Sequence, residues 1–262
     1  MKTNYHTHTY RCKHAVGSDE RYVKAALDGG FDELGFSEHC PLPYKSGFRS
    51  PYRMDLFLLE DYLESVRELK ARYADKIEIR VGFECEYFPE YMDWIRDMLE
   101  ETQADYAFFG NHNFPDDEVC DFFGHCVSTP EMLGLYLESA LKGMETPHYS
   151  FMAHPDLFMR AYPEFDSHCE KASRKICEKA ARLGLPLEYN ISGSYHEGGG
   201  EGFPHPKFWQ IAADCGCVCI IGCDAHDSRR LCGPRAAELY SAALAHIKKL
   251  GLKRIDRPRF LR

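Results

Sequence analysis

Long apolar runs are missing from this sequence. None approaches the ~20 residues that a helix needs to cross a bilayer. The first residues also do not place a basic segment before an apolar one, as a secretory signal does. These absences favour a cytoplasmic protein with no membrane partner. Linkers, internal repeats and low-complexity segments are missing as well, so residues 1–262 are expected to form a single domain.

An excess of basic residues is also missing. The 32 Lys and Arg residues are outnumbered by 41 Asp and Glu residues, which gives a formal net charge of -9. Proteins that wrap a nucleic-acid backbone neutralise its phosphates with many cations, so we expect no nucleic-acid partner. The composition still allows a local basic pocket for a small-molecule ligand, and it leaves a homo-oligomer open.

Cys-x-x-Cys pairs, which often build thiolate zinc sites, are absent although the chain has 12 cysteines. In a reducing compartment such residues are expected to be small buried hydrophobic groups or metal-related thiols before disulfides. Cys215, Cys217 and Cys219 alternate along the chain. Their spacing favours packing within a strand over a zinc site.

The sequence does contain a regular alternation of short apolar segments and amphipathic helical ones. The spacing of apolar residues predicts seven strands with helices between them. Those strands are the N-terminal segment and residues 33–37, 76–84, 104–110, 149–153, 186–190 and 217–222. Such alternation predicts an α/β fold of parallel strands, in a barrel or an open sheet. The Gly-rich segment from Ser194 to Pro204 is predicted to be an exposed flap or lid.

Two histidines one residue apart begin the chain. In an extended strand, residues i and i+2 project to the same side, so His6 and His8 are predicted to point at one place. Neutral imidazole is the commonest metal-ligating side chain. Taken alone, the pair could also be a tag or two surface histidines.

The position of further polar residues strengthens the metal interpretation. Histidines and carboxylates fall at or just past the ends of the predicted strands, where the loops of parallel α/β folds build active sites. They are His6, His8, His39, Glu84, His112, His154, Asp224 and His226. Any one of these histidines could be a buried structural residue. Together they are too many for one tetrahedral zinc, and they suit two or three divalent ions that share a bridging carboxylate.

These motifs resemble the PHP superfamily, named for polymerase and histidinol phosphatase, and within it the stand-alone histidinol-phosphate phosphatases. The similarity extends over nearly the whole chain. The motifs that carry it are His6-Thr-His8 with His14, Ser37-Glu38-His39, Gly82-Phe83-Glu84, Gly110-Asn111-His112, Ala153-His154-Pro155-Asp156 and Cys223-Asp224-Ala225-His226. Pro51-Tyr52-Arg53-Met54 and Glu84-Cys85-Glu86 further resemble the phosphatase branch.

The resemblance implies a distorted (β/α)7 TIM-like barrel with a trinuclear metal site at the C-terminal ends of the strands. One ion is implied to be held by His6, His8, Glu84 and Asp224. Glu84 is implied to bridge to a second ion with His112 and His154, and a third is implied at His14, His39 and His226. Nitrogen and oxygen ligands of this type suit zinc, manganese or iron.

The implied reaction is the hydrolysis of a phosphate monoester, L-histidinol phosphate, in histidine biosynthesis. A metal-bridging hydroxide, held by Glu84, Asp224 and His226, is expected to attack phosphorus in line. Candidate substrate-binding residues are Arg160, Arg229, Arg230, Arg53, Asn190 and His196.

This chain departs from the family after the strand that ends at Asn190. Histidinol phosphatases usually carry an arginine shortly after that strand, whereas this chain has Ser194, Tyr195 and then His196. Another small phosphate ester is therefore an alternative substrate.

Two other classes of function stay open. Cys223-x5-Arg229 fits the spacing of thiolate phosphatases, although Asp224 beside the thiol disfavours the thiolate. A non-catalytic or nucleic-acid-associated metal module is the second, and the acidic balance of charge argues against it.

Overall fold

The structure is a computed structural model and describes residues 1–195 and 202–261. Its strands are β1 Thr3–Asn4, β2 Glu33–His39, β3 Glu78–Cys85, β4 Tyr106–Phe109, β5 Leu187–Asn190, β6 Val218–Gly222 and β7 Lys253–Arg254. Every pairing between them is parallel. They form one sheet in the order β1-β2-β3-β4 and a second in the order β5-β6-β7. The predicted α/β class with parallel strands is confirmed.

The α-helices occupy the connections between the strands. They are α1 Asp19–Asp28, α2 Leu59–Arg72, α3 Met92–Glu101, α4 Phe123–Cys126, α5 Pro130–Gly143, α6 Ser167–Leu183, α7 Pro206–Asp214 and α8 Gly233–Leu250. Helix α6 shows why the sequence sets these limits. Its N-cap Asp166 accepts hydrogen bonds from the backbone N–H groups of His168 and Cys169, and Gly184 ends it in the left-handed conformation. Ser18 is at the N-cap of α1, but its side chain makes no capping hydrogen bond.

Backbone hydrogen bonds join the two sheets at both edges. On one side, Met152 forms isolated bridges with Phe109 and with Leu187. On the other, Thr7 bridges Ala225, and the N–H of His8 donates to the Ala225 carbonyl at 3.0 Å. The sheets therefore curl towards each other, with the N-terminal segment beside the segment that follows β6.

Three strands differ from the predictions. The strand predicted over 149–153 is reduced to the bridging residue Met152, because the chain turns at His154, whose φ is 27°. The short strand β7 was not predicted, since two residues, Lys253 and Arg254, carry no periodicity. The N-terminal strand ends at Asn4, before the two histidines that it was expected to contain.

A compact aromatic cluster fills the space between the sheets. It consists of Tyr5, Tyr106, Phe108, Phe151, Ala153 and Ile220. The Tyr106 hydroxyl donates to the carbonyls of Tyr5 and Phe36, so it ties the residue after β1 to β2. A Cβ atom at Gly35 or Gly82 would overlap the Tyr106 side chain. These glycines thus let the ring lie flat against the strands that carry the functional residues.

All 12 cysteines lie in the described part of the chain and are free thiols. Cys217 and Cys219 are buried and Cys215 is partly buried, in keeping with their predicted packing in and beside a strand. None of the helices among the described residues is long and apolar enough to span a membrane.

Candidate metal centre

A cavity of about 720 Å³ opens at the carboxyl ends of the strands. Its wall includes His39 at the end of β2, Glu84 near the end of β3, and His112 just after β4. His154, Asp224 and His226 follow the next segments in the chain and complete one side of it. Because parallel strands end at the same edge, residues far apart in sequence converge there.

The pair of N-terminal histidines lies against two of the lining residues, Glu84 and Asp224. His6 and His8 are fully buried, and their Nε2 atoms lie 3.1 Å apart. Each Nε2 is 3.2 Å from Glu84 Oε2. Asp224 Oδ1 is 3.3 Å from the same atom of His6 and 3.5 Å from that of His8. Two imidazoles and two carboxylates thus present one nitrogen or oxygen each to a common point.

Glu84 faces a second pair of imidazoles with its other oxygen. Its Oε1 lies 3.0 Å from His154 Nε2 and 3.4 Å from His112 Nε2, and those two nitrogens are 3.2 Å apart. A carboxylate with imidazoles on both oxygens has the arrangement of a bridging ligand. Gly110 makes room for it, since a Cβ there would overlap Glu84 Oε1.

A third set of imidazoles lies at the rim. One ligand atom each of His14, His39 and His226 falls within 4.8 Å of the others. The ring centroids of His14 and His226 are 4.3 Å apart, and His39 Nδ1 is 3.3 Å from Glu84 Oε2. The structure therefore brings together all nine residues predicted as metal ligands, in three adjoining sets.

A layer of carboxylates behind these rings fixes their orientation. His6 Nδ1 lies 2.7 Å from Glu188 Oε1, and His112 Nδ1 lies 2.6 Å from Glu86 Oε1. His8 Nδ1 lies 3.5 Å from Glu38 Oε1. Hydrogen bonds of this kind turn the other ring nitrogen towards the site and increase its basicity. No such role for Glu38, Glu86 and Glu188 was predicted, although a glutamate inside an apolar strand such as β5 signals a buried partner.

The electrostatics of the cluster stabilise positive charge at its centre. Burial works against the charged forms, but the surrounding imidazoles hold the pKa values of Glu84 and Asp224 well below their usual range. Burial alone would lower the pKa of His6, and the charges of Glu188, Asp224 and Glu84 nevertheless raise it well above its usual value. The cluster thus combines ionised carboxylates with an imidazole environment that favours cationic charge.

The rim imidazoles behave differently. Burial, together with the positive charge of His8, lowers the pKa of His39 well below its usual value and that of His226 to about 4. Both rings are therefore neutral near pH 7, which is the protonation state in which imidazole binds metal.

The donor set fits divalent cations on its own geometry. Asp224 Oδ1, His39 Nδ1 and His226 Nε2 are buried atoms without a hydrogen-bond partner, although other donor atoms lie close by. Buried polar atoms are normally satisfied, and cations held by these residues would satisfy all three atoms. His154 and Asp224 also adopt positive φ values of 27° and 45°. Such backbone strain in residues other than glycine is characteristic of functional sites.

The predicted arginines separate into two groups. Arg160 and Arg230 line the cavity. Arg229 points to solvent, with 84% of its side chain exposed, and pairs with Asp227. Arg53 is buried behind the cavity wall, where it pairs with Glu86 at 3.4 Å and Asp117 at 3.3 Å. The geometry therefore gives Arg160 and Arg230 access to a ligand, and it gives Arg53 a place beside the carboxylate that orients His112.

The other predicted substrate contacts lie elsewhere. The Asn190 amide donates to Glu188 Oε2 at 2.8 Å and to Asp224 Oδ2 at 3.3 Å, so it supports the carboxylates from behind. His196 lies outside the described residues. The described ends of the predicted flap are packed rather than fully exposed: Phe203 is buried in the cavity wall, and the Tyr195 hydroxyl donates to the Arg230 carbonyl.

The thiolate alternative does not fit the geometry. Cys223 is buried, and desolvation raises the pKa of its thiol to about 12, with Glu188 and Asp224 adding to the shift. The thiol is therefore protonated near neutral pH, and Arg229 of the motif points away into solvent. Both observations argue against a cysteine nucleophile.

Comparison with known proteins gives one family and several relatives. A family model described as the PHP domain matches residues 4–192. The chain is 27% identical over 233 residues to a protein named probable histidinol-phosphatase from Deinococcus radiodurans, covering 84% of this chain and 85% of that protein. It is 26% identical over 247 residues to a histidinol-phosphatase from Lactococcus lactis, covering 87% and 86% of the two chains. A solved structure of histidinol phosphate phosphatase from Lactococcus lactis, complexed with zinc, L-histidinol and phosphate, aligns with a TM-score of 0.75 at 19% identity, covering 97% of this chain and 95% of that chain.

Proposed function

This chain belongs to the PHP domain family, and we propose that it is a metal-dependent phosphomonoesterase that hydrolyses L-histidinol phosphate to L-histidinol and phosphate. The observation that carries the proposal is the Glu84 carboxylate, with His6 and His8 on one oxygen and His112 and His154 on the other. Curated relatives similar to this chain over most of its length are named for the same activity.

The residues that would hold the ions follow from the three sets. We assign His6, His8, Glu84 and Asp224 to one ion, and Glu84, His112 and His154 to a second. A third would bind at His14, His39 and His226, whose donor atoms lie within 4.8 Å of one another. Zinc, manganese or iron suits such ligands. When bound, divalent ions lower the pKa of water and offset the charge that develops on a phosphoryl group.

The protein's own residues position the ester. Arg160 and Arg230 line the same cavity as the imidazoles, and guanidinium groups bind phosphoryl oxygens through paired hydrogen bonds. Tyr195 supports Arg230: the guanidinium lies over the Tyr195 ring, 4.9 Å from its centroid. Glu188 and Glu86 keep His6 and His112 turned inward.

A closed barrel of seven βα units over residues 1–262 is our proposal for the finer architecture. It is supported by the bridges of Met152 to both neighbouring strands and by the bridge between Thr7 and Ala225. Those contacts support a ring of seven backbone segments around the aromatic cluster.

A second candidate substrate class is another small phosphate monoester. The sequence has no arginine between Arg182 and Arg229, where histidinol phosphatases usually carry one. Arg230, held by Tyr195, supplies a positive charge to the cavity from a different loop. Because the positive charge comes from a different loop, the cavity is expected to have a different shape around the leaving group of the ester.

The deciding experiment combines metal analysis with a phosphate-release screen. Purified protein should contain two or three equivalents of transition metal, and chelation should abolish phosphatase activity. Histidinol phosphate is assayed among many small esters. Full activity in a metal-free preparation would contradict the metal mechanism, and a strong hit on another ester with none on histidinol phosphate would favour the second candidate.

Cys223→Ser separates the metal mechanism from the thiolate alternative. Near-normal turnover is expected, because the buried thiol has no place in the metal mechanism. Complete loss of activity in a folded, metal-loaded variant would instead point to a cysteine nucleophile.

A further inference from the structure

The proposed reaction needs a proton for its leaving group. Hydrolysis of an alkyl phosphate expels an alkoxide, which is a poor leaving group unless it is protonated as the bond breaks. The metal-binding cluster occupies one side of the cavity. In phosphoryl transfer the attacking and leaving oxygens lie roughly in line on opposite sides of phosphorus. The proton donor must therefore lie on the wall that faces the cluster.

Half of the cavity-lining residues outside the three metal-binding sets come from the segment between β4 and α5. Short helix α4 packs against the turn Leu157–Arg160. His125 of this helix and Arg160 of the turn both line the cavity. Phe122, which also lines the cavity, is a common neighbour of these residues and of His112. Its ring stacks on His112 with centroids 5.4 Å apart, meets the His125 ring edge-on at 5.1 Å, and lies 5.8 Å from the Arg160 guanidinium.

Three other proton carriers that line the cavity, Tyr52, Cys126 and Asp117, are less suited to the task. The Tyr52 hydroxyl donates to Asn113 Oδ1, and burial raises its pKa far above neutrality. Burial likewise raises the pKa of the Cys126 thiol to about 11. Asp117 is paired with Arg53 and accepts a hydrogen bond from Tyr44, so it acts as an acceptor. Histidine is the side chain most often used as a general acid near neutral pH.

We propose that His125 is the catalytic general acid, a residue that stands on the cavity wall outside the three metal-binding sets. The assignment rests on the phosphomonoesterase function proposed above. The oxygen of a water molecule forms the new bond to phosphorus and releases one proton to solvent, and the ester P–O bond breaks with its electron pair on the leaving oxygen. A ring N–H of His125 gives its proton to that oxygen, so that a neutral alcohol departs. The imidazole then regains a proton from solvent.

The test compares two esters that differ in their need for a proton. 4-Nitrophenyl phosphate releases a phenolate that is stable without protonation, whereas histidinol phosphate releases an alkoxide. His125→Gln in metal-loaded enzyme should lower kcat for the alkyl ester by about 100-fold or more and should leave kcat for the aryl ester nearly unchanged. His168→Gln, which changes an exposed histidine on α6, is the matched control and should affect neither.

Each other outcome has a defined meaning. An equal loss for both esters, with normal metal content, would show a structural role and overturn the assignment. A higher KM for the alkyl ester at unchanged kcat would make His125 a binding contact and overturn it as well. Wild-type enzyme that releases phosphate from neither ester, nor from a wider set, would overturn the proposed function itself. His125→Asn serves as a second variant if the glutamine fails to fold.

Discussion

Arg230 and Arg229 are adjacent in sequence and face different surroundings. Arg230 lines the cavity, whereas Arg229 is exposed and paired with Asp227. We predict that Arg230→Gln lowers kcat/KM for the phosphate ester about 10- to 100-fold, because a charged hydrogen bond contributes about 1.5–3 kcal/mol. Arg229→Gln is the control and should leave kcat/KM unchanged. Steady-state kinetics of both variants measure these changes. Equal losses of kcat/KM, or a larger loss for the Arg229 variant, would contradict binding of the phosphoryl group by Arg230.

Glu188 acts on the site through hydrogen bonds to its neighbours. It accepts from His6 Nδ1, the His154 backbone N–H and Asn190. Glu188→Gln keeps the shape but removes the charge, so we predict a loss of about 10- to 100-fold in metal affinity. Competition with a chelator measures it. Glu178→Gln changes an exposed glutamate on α6 and should retain wild-type metal affinity. An unchanged metal affinity of the Glu188 variant would contradict a role of this carboxylate in metal binding.

Asp156 gives a prediction for pH. Burial raises the pKa of its carboxyl to about 7, so between its unfolded pKa near 4 and pH 7 the folded state holds a proton that the unfolded state lacks. Its contribution to stability is therefore full at acid pH and falls as pH rises towards 7. Asp156→Asn does not titrate there, and its Oδ1 can still accept the hydrogen bond from the His205 backbone N–H that Asp156 Oδ2 receives.

We expect the stability of Asp156→Asn relative to wild type to increase by a few kcal/mol between pH 5 and pH 8. Urea denaturation of both metal-loaded proteins at the two pH values measures the change. A difference that is the same at both would show that Asp156 titrates normally.

The residues predicted as metal ligands lie together in the structure, whereas the carboxylates that support them were not predicted. His6, His39 and His154 were recognisable because imidazoles near strand ends are few and share one edge. Glu188 was overlooked because its role depends on which face of β5 meets His6, and one residue of register decides that face. The position of Arg53 behind the wall follows from its pairing with Glu86 and Asp117, partners from distant segments.

Strand β3 depends on a glycine for its fit. A Cβ at Gly82 would overlap the Tyr106 ring, which ties neighbouring strands together. We predict that Gly82→Ala destabilises the protein by about 1–3 kcal/mol, as overpacked cores do, and that it lowers activity because Glu84 lies two residues along the same strand. Denaturant unfolding and phosphate release measure the two effects.

Gly134→Ala is the control for this prediction. Gly134 is exposed in the interior of α5, and nothing lies within 4 Å of an added Cβ. Alanine should therefore stabilise the protein by roughly 0.5–1 kcal/mol through helix propensity. A Gly82 variant as stable as the Gly134 variant would contradict the packing of Tyr106.

Most helices and strands could be predicted because their apolar spacing is regular over many residues. Helix α6, with Asp166 before it and Gly184 after it, is the clearest case. Helix α4 has four residues and β7 has two, so neither repeats a pattern long enough to recognise. Helix α4 nevertheless carries His125, so the proposed general acid could not be predicted from a helical sequence pattern.

At the scale of the whole molecule, bound ions should contribute to stability as well as to chemistry. Ions bind the folded arrangement of Glu84, Asp224 and the imidazoles, and a ligand at 100 times its Kd stabilises a protein by about 2.7 kcal/mol. Chelation should therefore lower Tm by several degrees. Adding zinc, manganese or iron salts should restore it. Calorimetry with and without chelator measures this change. An unchanged Tm after verified metal removal would contradict a metal site that exists only in the folded protein.

The bridge between Thr7 and Ala225 has a consequence for the order of synthesis. The Cys223 N–H donates to Asn4 Oδ1 across 219 residues. His6 and His8 are synthesised early, so they can meet Asp224 and His226 only after those two residues have been made. At translation rates of 5–20 residues per second, His6 and His8 wait on the order of 10–40 s for these partners. A nascent chain can therefore hold only a partial set of ligands, and we expect the complete metal cluster to assemble after most of the polypeptide has left the ribosome.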